Sequence, residues 1–182
     1  LSAIEKARDA LLSFRGTGMS IMEMSHRSAE FEALLKETDA GLRGLLGIPD
    51  DYAILYLGGG ASLQFSMVPI NLLGPGRAAD YIETGEWSSK AIKEAKKVGR
   101  VNVAASTKEE KFRRIPRPEE LKLTPDAAYV HMTSNNTIFG TQWQRFPDTG
   151  SVPLVADMSS DILSRPFDVK PFGLIYAGAQ KN

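Results

Sequence analysis

The chain has 182 residues, 42% hydrophobic and 24% charged, enough apolar material for the core of one ordinary domain. Lys plus Arg and Asp plus Glu number 22 each, so no global field draws the chain to nucleic acid or an anionic membrane, and neither partner is expected. No cysteine and only two histidines, His26 and His131, leave neither a disulfide framework nor an expected metal site. No apolar run approaches the roughly 20 residues of a membrane helix, and no signal-peptide pattern opens the sequence. A cytoplasmic enzyme or binding domain is the expectation.

Ser2-Ala3-Ile4-Glu5 has capping-box spacing, and Ile4, Ala7, Leu11 and Leu12 continue at helical period until Gly16-Thr17-Gly18 breaks the pattern. A second helix is predicted from about Ser28 to Leu46, with Phe31, Leu34, Leu35, Leu42 and Leu45 on one face and Gly47 as its stop. Residues 1–47 are thus a helical segment.

From residue 48 onward strand-like and helix-like segments alternate. Ala53–Leu57 reads as a short buried strand, followed by Gly58-Gly59-Gly60 and an apolar helix from Ser62 to about Leu73. Ala79–Ile82 is a candidate strand, Trp87–Val98 an amphipathic helix and Val101–Ala104 a strand. The charged, proline-punctuated stretch Lys108–Pro125 reads as a surface excursion. Ala127–Met132, Val152–Asp157 and Leu174–Ala177 complete the strands. This alternation predicts an α/β domain around a mostly parallel central sheet flanked by helices.

In such sheets ligands bind at the carboxyl ends of the strands, and the chemically distinctive residues fall there. Gly58-Gly59-Gly60-Ala61-Ser62 is either a tight turn with a serine cap or a cup whose free N–H groups hold an anion. It is neither GxGxxG nor a Walker loop, which argues against a nucleotide-binding oxidoreductase. Asp157 ends an apolar strand, as a turn aspartate or as the partner of a buried cation such as a protonated ring nitrogen. Lys181 is either a surface lysine or an amine with Schiff-base chemistry. Trp87 is a core side chain or a flat cover for a planar group. Thr137 is a turn threonine or a hydroxyl donor. Arg27 is an exposed helix-start residue or a bidentate grip on a carboxylate. His131, inside a strand, reads as a core histidine. Together these residues suit pyridoxal 5'-phosphate, which needs a lysine, a carboxylate, a phosphate cup and an apolar cover.

The motifs MEMSHRSAEF (22–31), GGGASLQFSMVPINLL (58–73), ADYIETGEWSSKAIKEAKK (79–97), SNNTIFGTQW (134–143), VADMSSDILSRP (155–166) and IYAGAQKN (175–182) are long, ordered and spread along the chain. Through them the whole chain resembles the first half of the phosphoserine aminotransferases, fold-type I pyridoxal-phosphate enzymes. The resemblance implies that residues 1–182 are the incomplete large, cofactor-binding domain, with a C-terminal small domain lying outside this sequence. It implies that Lys181 holds the cofactor covalently, that Gln180, Ala61 and Ser62 hold its phosphate, and that Trp87 stacks on its ring. Thr137 would bond the ring hydroxyl side, Asp157 the ring nitrogen, and Arg27 the substrate carboxylate. The implied reaction transfers an amino group between glutamate and 3-phosphohydroxypyruvate, giving phosphoserine and 2-oxoglutarate, with a further role in vitamin B6 synthesis in some bacteria. A homodimer with active sites at the subunit interface is implied as well. Some family members carry Arg where this chain has Ser62, so substrate-phosphate recognition at that position is altered or rests elsewhere. The alternatives are another type I aminotransferase with a different small amino acid, or a non-catalytic fragment.

Overall fold

The computed structural model describes residues 2–179, which divide into two compact units, Leu1–Ile54 and Leu55–Asn182. Gln180 and Lys181, both expected at the cofactor, lie outside the described residues.

The first unit is helical. Helix α1 spans Ser2–Leu12 and α2 spans Ala29–Leu46. Ser28 caps α2 by accepting a hydrogen bond from the Phe31 N–H, which satisfies one of the orphan donors of its first turn. Gly47 ends the helix in the left-handed region at φ 63°, its N–H donating to the Arg43 carbonyl. Arg43 then clamps the following loop, donating to the carbonyls of Pro49 and Tyr52 while pairing with Asp39 at 2.9 Å. The α2 boundaries expected from the sequence hold to within a residue, whereas α1 stops at Leu12 and a 3-10 turn, Phe14–Gly16, fills the stretch before the expected glycine break.

The second unit is built on five parallel strands. They are β1 (Ala78–Glu83), β2 (Arg100–Ser106), β3 (Val130–Thr133), β6 (Leu154–Asp157) and β7 (Phe172–Tyr176), in the order β2-β1-β3-β6-β7. A short antiparallel hairpin, β4 (Asn135–Asn136) with β5 (Thr141–Gln142), projects just beyond β3. Helices α3 (Gly60–Leu72) and α4 (Glu86–Val98) supply one apolar layer. Phe65 and Val68 of α3 and Ala91, Ile92 and Ala95 of α4 pack with Ala79, Tyr81, Tyr129, Val155 and Tyr176 on that face of the sheet. The opposite face carries Ile82, Val130, Met132, Leu154, Ala156 and Phe172.

What covers that opposite face corrects one expectation. The stretch Lys108–Pro125 is not simply a surface excursion, because Ile115, Leu121 and Leu123 pack against the second cluster and Phe112 is buried. Its charges face outward around Arg114, which bridges Glu110 and Glu120. Periodicity fails there because the apolar residues alternate with prolines and two single 3-10 turns, Lys108–Glu110 and Pro118–Glu120.

A second correction concerns Ala53–Leu57. The run belongs to no strand, and Leu55 and Leu57 are 72% and 57% exposed. A strand exists only where a neighbour takes up its backbone N–H and C=O groups, and none of the described ladders includes this run.

The order of the strands positions the site. From β1 the chain moves outward to β2 and then returns to the other side of β1 as β3. The strand order therefore reverses between β1 and β3, the switch point at whose carboxyl ends such sheets carry their ligand crevice.

Candidate active site

Asp157 is the last residue of β6 and only 4% exposed. Its Oδ1 is filled twice from Ser159, by the backbone N–H at 3.0 Å and by the hydroxyl at 2.6 Å. Burial raises its carboxyl above the usual range, the two Ser159 bonds oppose this, and nearby Asp161 adds to the rise. Among the described residues no cation pairs with it. A buried carboxylate with donors on one oxygen keeps the other oxygen available to a cationic or N–H partner.

The cup lies at the head of α3. Gly59 and Gly60 take φ values of 89° and 58°, a region open to glycine at little cost, and the N-cap, Gly59, has no side chain to cap the first turn. The start of a helix with uncapped N–H groups and the positive end of its dipole suits a phosphate. Gly178, just past β7, comes against this turn: a Cβ there would lie 3.2 Å from Ala61 N and 3.5 Å from Ala61 Cβ. The Gly178 N–H donates to Ser159 Oγ at 2.9 Å. The structure thus brings together Asp157, Ser159, Gly178 and Ala61. Ser62, the next residue along α3, is exposed.

Gly178→Ala is expected to push the β7 end away from the cup. Its effect should be a loss of affinity for a phosphate-bearing cofactor of about tenfold or more, for a shift worth about 1–3 kcal/mol. Equilibrium binding measured on both proteins checks this.

Trp87 and Thr137 sit on the two loops that bound the crevice. Trp87 is in the first turn of α4, half-buried against Phe65, Tyr81 and their neighbours, with the Lys90 ammonium 4.6 Å from its ring centre. The loop before it is anchored to the β3 side: Thr84 Oγ1 donates to Asn136 Oδ1 at 3.2 Å. Gly85 approaches the same Asn136 oxygen so closely that a Cβ would lie 2.8 Å away. Thr137 follows Asn136 in the exposed turn between β4 and β5. Arg27 belongs to the first unit, exposed beside the Ser28 cap, its N–H donating to Ser25 Oγ.

Below the rim, the sheet face under α3 and α4 carries a buried polar row. Tyr81 Oη and Tyr129 Oη are 2.8 Å apart, and His131 Nε2 is 2.8 Å from Tyr176 Oη. His131 also stacks on Tyr81, ring centres 4.7 Å apart. Burial pushes the His131 imidazole down to about 3 and the Tyr129 phenol up to about 12. His131 is thus the core histidine that its strand position implies, with Nδ1 buried and unbonded. Thr133 Oγ1, whose residue pairs with Asp157 across the ladder, is likewise buried without a partner among the described residues.

The sign of the His131 effect is fixed by these facts. Its folded value lies below the unfolded value of about 6.5, so the unfolded chain binds the proton first as pH falls. Stability should therefore drop from about pH 6.5 toward pH 3, by at most about 1.4 kcal/mol per pH unit from this group. Denaturant unfolding at several pH values, compared with His131→Gln, isolates that slope.

Residue type alone does not single out Ser159, Gly178 or Thr133. The one local signal is Asp157-Met158-Ser159, an aspartate able to accept the N–H two residues on, as Asx-turns do.

A parallel α/β sheet with a glycine-led helix start and a buried carboxylate at its strand ends suits the binding of a phosphate-bearing cofactor. The profile of the aminotransferase class-V family matches residues 2–182, and the chain belongs to that family. It is 60% identical over 183 residues to a phosphoserine aminotransferase of Desulfosudis oleivorans, covering all of this chain and 50% of that protein. A solved phosphoserine aminotransferase from Bacillus circulans subsp. alkalophilus superposes with a TM-score of 0.96 at 54% identity, covering 100% of this chain and 50% of that one. A pyridoxal-phosphate-bound phosphoserine aminotransferase from Trichomonas vaginalis gives 0.89 at 40% identity, over 100% and 51% of the two chains. The chain spans about half the length of the relatives it matches. Among the described residues no helix is long and apolar enough to cross a membrane, and no cluster of three or more His, Cys, Asp or Glu could hold a metal ion.

Proposed function

We propose that this site is the pyridoxal-phosphate centre of a phosphoserine aminotransferase. The reaction transfers the amino group of L-glutamate to 3-phosphohydroxypyruvate, giving O-phospho-L-serine and 2-oxoglutarate. The observation that carries the reading is Asp157, a buried carboxylate with no cation partner among the described residues, tied through one serine to the glycine that presses on the α3 cup.

The residues fit the group. Asp157 would accept the N–H of the pyridine ring and favour its protonated form, a partner that would offset the burial that raises its carboxyl. The N–H groups at Ala61 and Ser62, with Gln180, hold the phosphate. The Gly178 cradle leaves room for it, since any side chain there would fill the space against Ala61. Trp87 covers the ring, Thr137 bonds the ring hydroxyl side, and Arg27 takes the substrate carboxylate. Bound pyridoxal phosphate supplies an electron sink that acidifies the α-carbon of an amino acid. Lys181 would hold the cofactor through its Nζ, and its amine would serve as the general base that moves a proton on the substrate. Ser62 contributes only a hydroxyl and an N–H, so binding of the substrate phosphate rests on other cations.

We read the assembly as a cytoplasmic homodimer with sites at the subunit interface; Leu63 and Ile70, exposed on α3, support a covered face there. The same site would accept the 4-phosphohydroxy-L-threonine of vitamin B6 synthesis. The test is amino transfer from glutamate to 3-phosphohydroxypyruvate, run beside alanine and aspartate as donors and unphosphorylated acceptors. Preference for glutamate and the phosphorylated acceptor is expected; a clear preference for an unphosphorylated one overturns the reading.

A further inference from the structure

The Ser159 side chain makes two contacts that no single structural duty requires. Its hydroxyl donates to Asp157 Oδ1 at 2.6 Å and accepts the Gly178 N–H at 2.9 Å. A serine hydroxyl has one proton and two lone pairs, so the direction of both bonds is fixed: the proton goes to the carboxylate and a lone pair faces the amide. Ser159 also gives its backbone N–H to the same Oδ1, so that oxygen is filled and the other is the one left to face a ligand. Gly178 in turn stands three residues before Lys181 and against Ala61 of the cup.

From this geometry we infer that Ser159 is a positioning residue, a strut that holds Asp157, the backbone leading to Lys181 and the head of α3 in one fixed arrangement. The inference rests on the reading of Asp157, Ala61 and Lys181 as a pyridoxal-phosphate site. It assigns to a residue bonded to both Asp157 and Gly178 the task of setting the distance between ring-nitrogen partner and phosphate cup. A hydrogen bond to a charged group is stronger than a neutral one, so the Asp157 arm is the dominant one. The other titratable groups that act on Asp157 or feel its charge are Asp161 and Tyr176, and neither hydrogen-bonds Ser159 among the described residues.

Two readouts on the full chain test this with Ser159→Ala, Ser159→Thr and the neighbouring Ser160→Ala, whose hydroxyl bonds Asn135 instead. The first is the Asp157 carboxyl titration in cofactor-free protein, followed by carbon-detected NMR. Ser159→Ala should move it upward, because a donor to the charged form is gone, while Ser159→Thr and Ser160→Ala leave it in place. The second is the dissociation constant for pyridoxal phosphate, expected to rise about tenfold in Ser159→Ala only. An unmoved Asp157 titration in Ser159→Ala overturns the strut, as does a cofactor affinity no weaker than that of Ser160→Ala. A protein that shows the titration shift yet takes up no pyridoxal phosphate, even unsubstituted, overturns the positioning role together with the cofactor reading beneath it. Circular dichroism of each variant confirms that the fold is kept.

Discussion

Lys181→Ala is expected to remove amino-transfer activity while leaving the fold and most of the non-covalent contacts to the cofactor in place. A general base alone contributes on the order of 10²–10⁴-fold, and covalent attachment adds to that, so a fall of at least about 10³-fold in turnover is the expected outcome. The informative comparison is with the cofactor dissociation constant of the same variant. The α3 cup, Asp157 and Trp87 remain, so non-covalent binding should persist, weakened but measurable by equilibrium dialysis. An excess of a small primary amine should restore part of the lost rate by standing in as the base. A variant that kept more than a tenth of the original turnover would show that the lysine is not the proton carrier.

Asp157→Asn should separate stability from activity. In cofactor-free protein the carboxylate is buried, with no cation partner among the described residues, and burial raises its proton affinity. A group whose folded value is raised costs stability above that value, so at neutral pH the neutral isostere removes a penalty. The amide oxygen of the substituted side chain can still accept the two Ser159 bonds. The cofactor-free variant is therefore expected to melt no lower than the original protein, and by a few degrees higher. Activity moves the other way. Removing one partner of a buried ion pair costs about 3–5 kcal/mol, equivalent to about 10²–10⁴-fold in turnover. Differential scanning calorimetry with and without pyridoxal phosphate, beside a steady-state assay, reads both. A large loss of cofactor-free stability would mean that Asp157 is a structural turn residue, the bland reading its sequence position also allows.

The parallel sheet is legible because its strands are short apolar runs, with β1 and β6 buried on both faces, so Ala79–Ile82, Val101–Ala104 and Val152–Asp157 fall within two residues of β1, β2 and β6. Ala127–Met132 starts too early, since Ala127 and Ala128 are buried by packing and turn geometry before the β3 ladder begins at Val130. Ala53–Leu57 has a strand's composition without a strand's neighbour, which no local pattern reveals. The hairpin at 135–142 escapes pattern reading because each of its strands is two residues long.

The site divides along the same line. Glycines at 58–60 and a carboxylate ending an apolar strand are visible because residue type itself carries the chemistry. The strut at Ser159 is not, since a serine gains meaning only from the Asp157 oxygen and the Gly178 amide that folding brings to it. Gly178 is the same case: its freedom from a side chain matters only against Ala61. Lys181 is open to two readings from residue type, the resemblance carried by IYAGAQKN favours the Schiff-base one and adds Gln180, and both roles stand as proposals.

The most direct test of the central claim is borohydride reduction of the protein loaded with pyridoxal phosphate, followed by digestion and mass spectrometry of the peptides. A single peptide bearing the cofactor's mass is expected, with the modification on Lys181 and none in Lys181→Ala. A reduced cofactor found on another lysine such as Lys90, or no stable adduct at all, would contradict it.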